Sequence, residues 1–192
     1  MDMDEEIKKA VAESMRKARS LPRKHANFFN WHDKETKELA ICSEFVQFLI
    51  NEHGESFDSI DLGDDPPDCV AKFEENEVAI EIVELVDQNA IEVQIRLNKE
   101  YSSQEPWTTA RMMKHLNKLI QQKDNPSEKQ QLKKVYSRYI VLIHTDEPEL
   151  MVGDFDRLFK KGAIQSTELI NEAYLLFSYD SAIKGYPVRK LI

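Results

Sequence analysis

The sequence predicts an α/β protein in which helices flank a mixed sheet. Three observations carry this. "YIVLIH" (139–144) and "AYLLFSY" (173–179) are continuous apolar runs of strand length, as expected for strands buried on both faces. "DCVAKF" and "EVAIEIVEL" (68–73 and 77–85) are two further strand-like runs across a short polar turn, "EENE". Between these lie stretches with helical spacing of apolar residues and side-chain caps at their starts.

The elements follow in chain order. Residues 4–19 read as a basic amphipathic helix closed by "SLPRK", an N-terminal extension over 1–30 to an α/β domain over 31–192. Asp33 is placed to cap a helix from Lys34 to about Glu52, with Gly54 as its left-handed terminator. The turn-rich "ESFDSIDLGDDPP" (55–67) has room for one short strand. Residues 87–99 carry two patterns. Ile91, Val93, Ile95 and Leu97 alternate as in a strand, while Asp87 suits a helix cap; the helix is the favoured reading. Thr108 caps a helix to about Asp124, a short helix is expected near 128–134 and another over 154–163, and "PVRKLI" is a candidate edge strand.

Composition bounds the function. The 192 residues are 41% hydrophobic and 32% charged, which suits one globular domain. No apolar run is long enough to span a membrane, and the charged N-terminus lacks the apolar centre of a secretory signal. Cys42 and Cys69 lie in apolar contexts and suggest no disulfide framework, so a reduced, cytoplasmic protein is expected. The net charge of −9 opposes broad nucleic-acid binding, but it is segregated. Residues 54–106 hold fifteen acids against three bases. Residues 8–25 hold seven bases (Lys8, Lys9, Arg16, Lys17, Arg19, Arg23, Lys24) against one acid, and residues 111–138 eight bases against two acids. An acidic block between basic ones fits a carboxylate site flanked by phosphate-contacting surfaces, the latter including Arg111, Lys114 and Lys118. Solvated helix faces are the simpler reading of each basic run alone.

Three carboxylates stand out. Glu81 lies within a strand of Val, Ala and Ile, and Asp68 opens the strand paired with it, so a tight hairpin brings the two together. Carboxylates that close repel unless a proton or a cation lies between them, and a hard divalent cation is the usual solution. At 100° per residue, Leu39, Cys42, Phe45, Val46 and Leu49 define the apolar stripe of the first helix; Glu38 falls inside that stripe and Glu44 nearly opposite it, toward solvent. The same construction on 108–124 places Lys123, but not Arg111, Lys114 or Lys118, at the centre of the stripe of Met112, Met113, Leu116, Leu119 and Ile120. A snorkelling lysine at a helix end is the plainer account of Lys123. Glu84 faces away from Glu81 and is expected to hold backbone amides at the start of 87–99; a bulge turning it into the site is the alternative.

The pattern of Pro67–Asp68, then twelve residues, then Glu81–Ile82–Val83, with an inward Glu38 on a preceding helix and a helix and buried strand following, resembles the PD-(D/E)XK nuclease superfamily. The resemblance covers about 34–145 and implies a restriction-endonuclease-like αβββαβ core and Mg²⁺- or Mn²⁺-dependent hydrolysis of phosphodiester bonds in DNA or RNA. It implies Asp68, Glu81 and the main-chain carbonyl of Ile82 as metal ligands, with Glu38 bound directly or through water. The bound metal would activate a water and offset charge on the scissile phosphate. The lysine position of the motif is Val83, which cannot do lysine's work; members of the superfamily relocate this lysine to a neighbouring helix, and Lys123 is the residue so placed. Without Lys123 at the site, the resemblance implies the fold without catalysis. The alternatives are a catalytically inactive module of this fold that binds nucleic acid or protein, and an acidic interaction domain with a protein partner or a second copy. The five histidines show no metal-ligand spacing, and His144 reads as a core or loop residue. "FFNWH" (28–32) is expected to pack on the core rather than stack on bases.

Overall fold

The computed structural model describes residues 33–192 except Glu74, 98–104, Pro126, 128–130, Pro148 and 160–161. The N-terminal extension, with its basic helix and "FFNWH", and residues 128–130 of the helix expected near 128–134 lie outside the described residues; residues 132–134, expected in that helix, are not helical. Helix α1 (Lys34–His53) begins where Asp33 accepts a hydrogen bond from the Thr36 amide at 2.9 Å. It ends at Gly54, whose φ of 66° lets its own amide and that of Glu55 close on the Ile50 and Leu49 carbonyls. Strands β1 (Ser59–Leu62), β2 (Cys69–Phe73) and β3 (Asn76–Glu84) follow, then helices α2 (Gln88–Leu97) and α3 (Thr109–Lys123), strand β4 (Arg138–Thr145), helix α4 (Val152–Leu158), and strands β5 (Glu172–Phe177) and β6 (Val188–Lys190).

The described part of the 87–99 segment forms helix α2 over Gln88–Leu97, as favoured: Asp87 is buried and accepts from the Asn89 and Ala90 amides. The helix expected over 154–163 instead runs Val152–Leu158. Phe159 leaves it in extended backbone, at φ −70° and ψ 131°, and its ring stacks on Phe155 at 4.8 Å.

The six strands form one open mixed sheet in the order β1-β2-β3-β4-β5-β6. β1, β2 and β3 pair antiparallel, β3, β4 and β5 parallel, and β6 antiparallel to β5. Strand alternation sends Val78, Ile80, Ile140, Leu142, Tyr174 and Leu176 toward α1, where they meet Ile41, Cys42, Phe45, Val46 and Leu49. The opposite face sends Ala79, Val141, Ile143, Ala173 and Leu175 toward Met112, Met113, Leu116 and Ile120 of α3 and Phe155 of α4. Both cysteines are buried free thiols in the α1-side core, and the Cys42 thiol is held well above its usual range by its hydrogen bond with Cys69 and by burial.

Arg138, at the amino end of β4, binds Glu172 through Nε at 2.7 Å and Glu55 through a terminal nitrogen at 2.7 Å. Tyr174 and Lys190 bind the other oxygen of Glu172 at 2.5 and 2.8 Å. Burial works to raise the Glu172 pKa, but the bonds from Lys190, Tyr174 and Arg138 outweigh it and bring it down to about 2. A carboxylate depressed in this way stabilises the fold above its unfolded pKa, near 4.5, and loses that contribution as pH falls through about 2. Glu172→Gln is therefore expected to be less stable than wild type near neutrality, with the gap in urea midpoint narrowing between pH 4.5 and 2.

Candidate functional site

The connection from β1 to β2, "GDDPPD", is folded back on itself. The Gly63 amide donates to the Asp68 carbonyl at 2.8 Å and the Asp65 amide to the Pro67 carbonyl at 3.2 Å. Both prolyl bonds, Asp65–Pro66 and Pro66–Pro67, are cis. A Cβ on Gly63 would lie 1.8 Å from the Pro67 oxygen, so only glycine admits this approach. Gly63→Ala is expected to displace the segment that delivers Asp68 and to cost about 1–3 kcal/mol in urea unfolding.

Past the last β2–β3 pair, Cys69↔Ile80, strand β3 runs on without β2 beside it. The Asp68 carboxylate fills this edge and accepts the Ile82 amide at 2.7 Å. By the same register Asp68 lies across from Glu81. Glu81 points to the α3 side of the sheet and is 3% exposed. There its Oε1 meets the Lys123 ammonium at 2.6 Å. The Lys123 stem continues the apolar stripe of α3, and its charge sits at the helix C-terminus, where the dipole favours a cation.

Glu38 reaches the notch from α1. Its side chain is 13% exposed, and it lies close enough to Asp68 for the two carboxylates to repel. Burial and the Asp68 charge raise its pKa, while the Lys34 ammonium, 3.3 Å away, works against both. Lys34 also stands 3.7 Å from Asp65 and 4.0 Å from Asp68. Glu44, expected in solvent, is half-buried, a correction to the helical-face reading, which places it nearly opposite the core.

Glu84 and Ile82 face α1, away from Glu81. Glu84 pairs with Lys37 at 3.8 Å, and its pKa is raised first by burial. The amide-holding role expected of it falls to Asp87 at the start of α2 and to Glu147, which accepts the Asp87 amide at 2.6 Å. His144, across from Glu84 on β4, is buried, and burial together with the Lys37 charge lowers its pKa to about 3.

One grouping had little sequence signal. Arg111 binds Asp87 at 2.7 Å and lies 4.4 Å over the Trp107 ring, while Trp107 donates to Glu147 at 3.2 Å. Glu147 lies in "TDEPEL", where no periodicity marks it, and Arg111 falls off the apolar stripe because it meets α2 rather than the sheet. Lys34 did carry a signal: a cation in the first turn of a helix opposes the dipole.

The basic residues of the middle run divide. Arg111 turns inward to Asp87, which corrects its expected place on a phosphate-contacting surface. Lys133 pairs with Asp64 at 3.7 Å, Lys134 with Glu77 at 2.5 Å, and Arg138 is held as described. Lys114 and Lys118 are exposed on α3. Lys8, Lys9, Arg16, Lys17, Arg19, Arg23 and Lys24 lie outside the described residues.

Glu38, Asp68 and Glu81 offer hard carboxylate oxygens, the donor type of Mg²⁺ and Mn²⁺. Among the described residues, no group of three or more His, Cys, Asp and Glu side chains could hold a metal ion. No helix among the described residues is long and apolar enough to cross a membrane. Comparisons with protein families, curated proteins and solved structures find no match to this chain.

Proposed function

We propose that the chain is a divergent PD-(D/E)XK-type, metal-dependent nuclease that hydrolyses phosphodiester bonds of DNA or RNA. The observation that carries this reading is the 2.6 Å contact between Lys123 and Glu81. A lysine from α3, the second helix after β3, reaches Glu81 on the strand face it shares with Val83, the position where the motif's own lysine is missing. Two further features support it. The strand order, an antiparallel β1-β2-β3 followed by a parallel β4, is compatible with a restriction-endonuclease-like core. Glu38 from α1 and Asp68 at the β2 mouth interact where β2 and β3 part, and Glu81 follows the last residue of β3 paired with β2.

In this reading Asp68, Glu81 and the Ile82 carbonyl hold the cation, with Glu38 bound directly or through water. The cation supplies an activated water and charge compensation at the phosphate. Lys123 orients Glu81 and the attacking water, and Lys114 and Lys118 are available to the backbone of the nucleic acid. Thermal melts with and without saturating Mn²⁺ test the cation site: wild type should gain several degrees, and Asp68→Asn should lose that gain. Equal melting temperatures for wild type with and without Mn²⁺ would remove the metal from the proposal.

A second reading, a nuclease-fold module that binds without cleaving, is favoured by Val83, which packs against the α3-side core, and by the acids that hold Arg111, Lys133, Lys134 and Arg138. Binding of nucleic acid or protein without cleavage and without a Mn²⁺ shift supports it.

A further inference from the structure

Lys34 is the first residue of α1, a place that is unfavourable for a lysine in the helix itself. A cation in the first turn opposes the macrodipole, and a lysine four residues before a glutamate is the weaker order of that pair. Its surroundings do account for it. The ammonium stands 3.3 Å from Glu38, 3.7 Å from Asp65 and 4.0 Å from Asp68, and the attraction of Glu38 leads in raising its pKa. Lys123 balances Glu81 from the α3 side of the sheet, and Lys34 balances Glu38 and Asp68 from the α1 side. The two differ in restraint. The Lys34 side chain is 68% exposed and that of Lys123 25%, so Lys34 can swing into water without unpacking the core.

We propose that Lys34 is a tethered counter-cation of the carboxylate site, one that a divalent cation displaces on binding. The proposal rests on the metal-dependent reading above and adds a positioning residue to it. With the ammonium in place the carboxylates keep their arrangement without metal, and a cation entering between Glu38 and Asp68 takes over the charge that Lys34 supplies. Lys34 therefore weakens metal binding in the wild-type protein, because its interaction with the carboxylates must be broken and its like charge moved away.

The test is Mn²⁺ affinity of the full chain, read from the paramagnetic signal of free Mn²⁺ at low salt. The proteins are wild type, Lys34→Met, Lys34→Arg, Asp68→Asn and Lys184→Met, the last making the same charge change on the exposed turn before β6. Lys34→Met should bind Mn²⁺ roughly three- to tenfold more tightly than wild type, as expected for one charge removed a few ångströms away in a solvated site. Lys34→Arg and Lys184→Met should match wild type. Equal or weaker binding by Lys34→Met overturns the proposal, as does an equal gain in Lys184→Met, which would make the effect one of net charge. In either case, binding by wild type and its loss in Asp68→Asn leave the metal site standing. Absence of binding in wild type and Lys34→Met alike overturns both.

Discussion

Lys123→Met is expected to abolish cleavage while sparing affinity for nucleic acid. Methionine keeps the packing of the lysine stem along Leu116 and Ile120 but leaves Glu81, 3% exposed, without the ammonium now 2.6 Å from it. Breaking a buried ion pair by removing one partner costs about 3–5 kcal/mol; the low end, about 3, applies here because Lys123 keeps part of its surface in water. That loss should appear in urea unfolding without metal and shrink when Mn²⁺ supplies the missing charge. If the proposed nuclease reading holds, hydrolysis should fall by about two orders of magnitude or more on a panel of single- and double-stranded DNA and RNA with Mn²⁺, since that reading sets the Lys123 charge at the reacting phosphate. If wild type and variant cleave alike, Lys123 does not act in the reaction. If wild type cleaves nothing on the panel, the binding module becomes the better account.

Arg111→Met is expected to have the largest effect on stability. Its guanidinium is the charge partner of Asp87, whose carboxylate is 2% exposed and also caps α2. It covers Trp107, which in turn binds Glu147. Removing it takes a positive charge from a buried carboxylate that keeps only its capping role among the bonds described above. The expected loss is about 3–5 kcal/mol, with little change in Mn²⁺ affinity. A loss under about 1 kcal/mol would mean that water reaches Asp87 and compensates. The contrast with Lys123→Met is informative: one variant should be rescued by metal and the other should not.

The sequence shows the local part of the site and hides the non-local part. Glu38 and Lys123 were legible because a helix repeats every 3.6 residues, so a charge inside an apolar stripe is out of place. Asp68 and Glu81 were legible because a hairpin has a fixed register. Glu84 was misassigned because its partner, Lys37, is 47 residues away on another element and no periodicity links them. Glu147 and Arg111 were hidden for the same reason. Glu44 shows the limit of a regular wheel: it lies nearly opposite the apolar stripe and is half-buried all the same. The helix over 87–99 was recoverable only through its cap, since its apolar residues fit both periods.

The sheet has a further property. Its strands lie side by side in the order in which they occur in the chain, so each strand emerging from a ribosome finds its neighbour already present. The three-stranded antiparallel unit and α1 can assemble first, which buries Glu81 and sets Glu38 beside Asp68 before Lys123 has been made. During that interval Lys34 is the ammonium already present beside Glu38 and Asp68. β3 would meanwhile show an unpaired edge until β4 arrives, an interval open to chaperones or to wrong pairing. Synthesis thus proceeds from the acidic half to its counter-charge, and the slow step should be the docking of α3 and β4, with pulsed hydrogen exchange protecting β2 and β3 before β5.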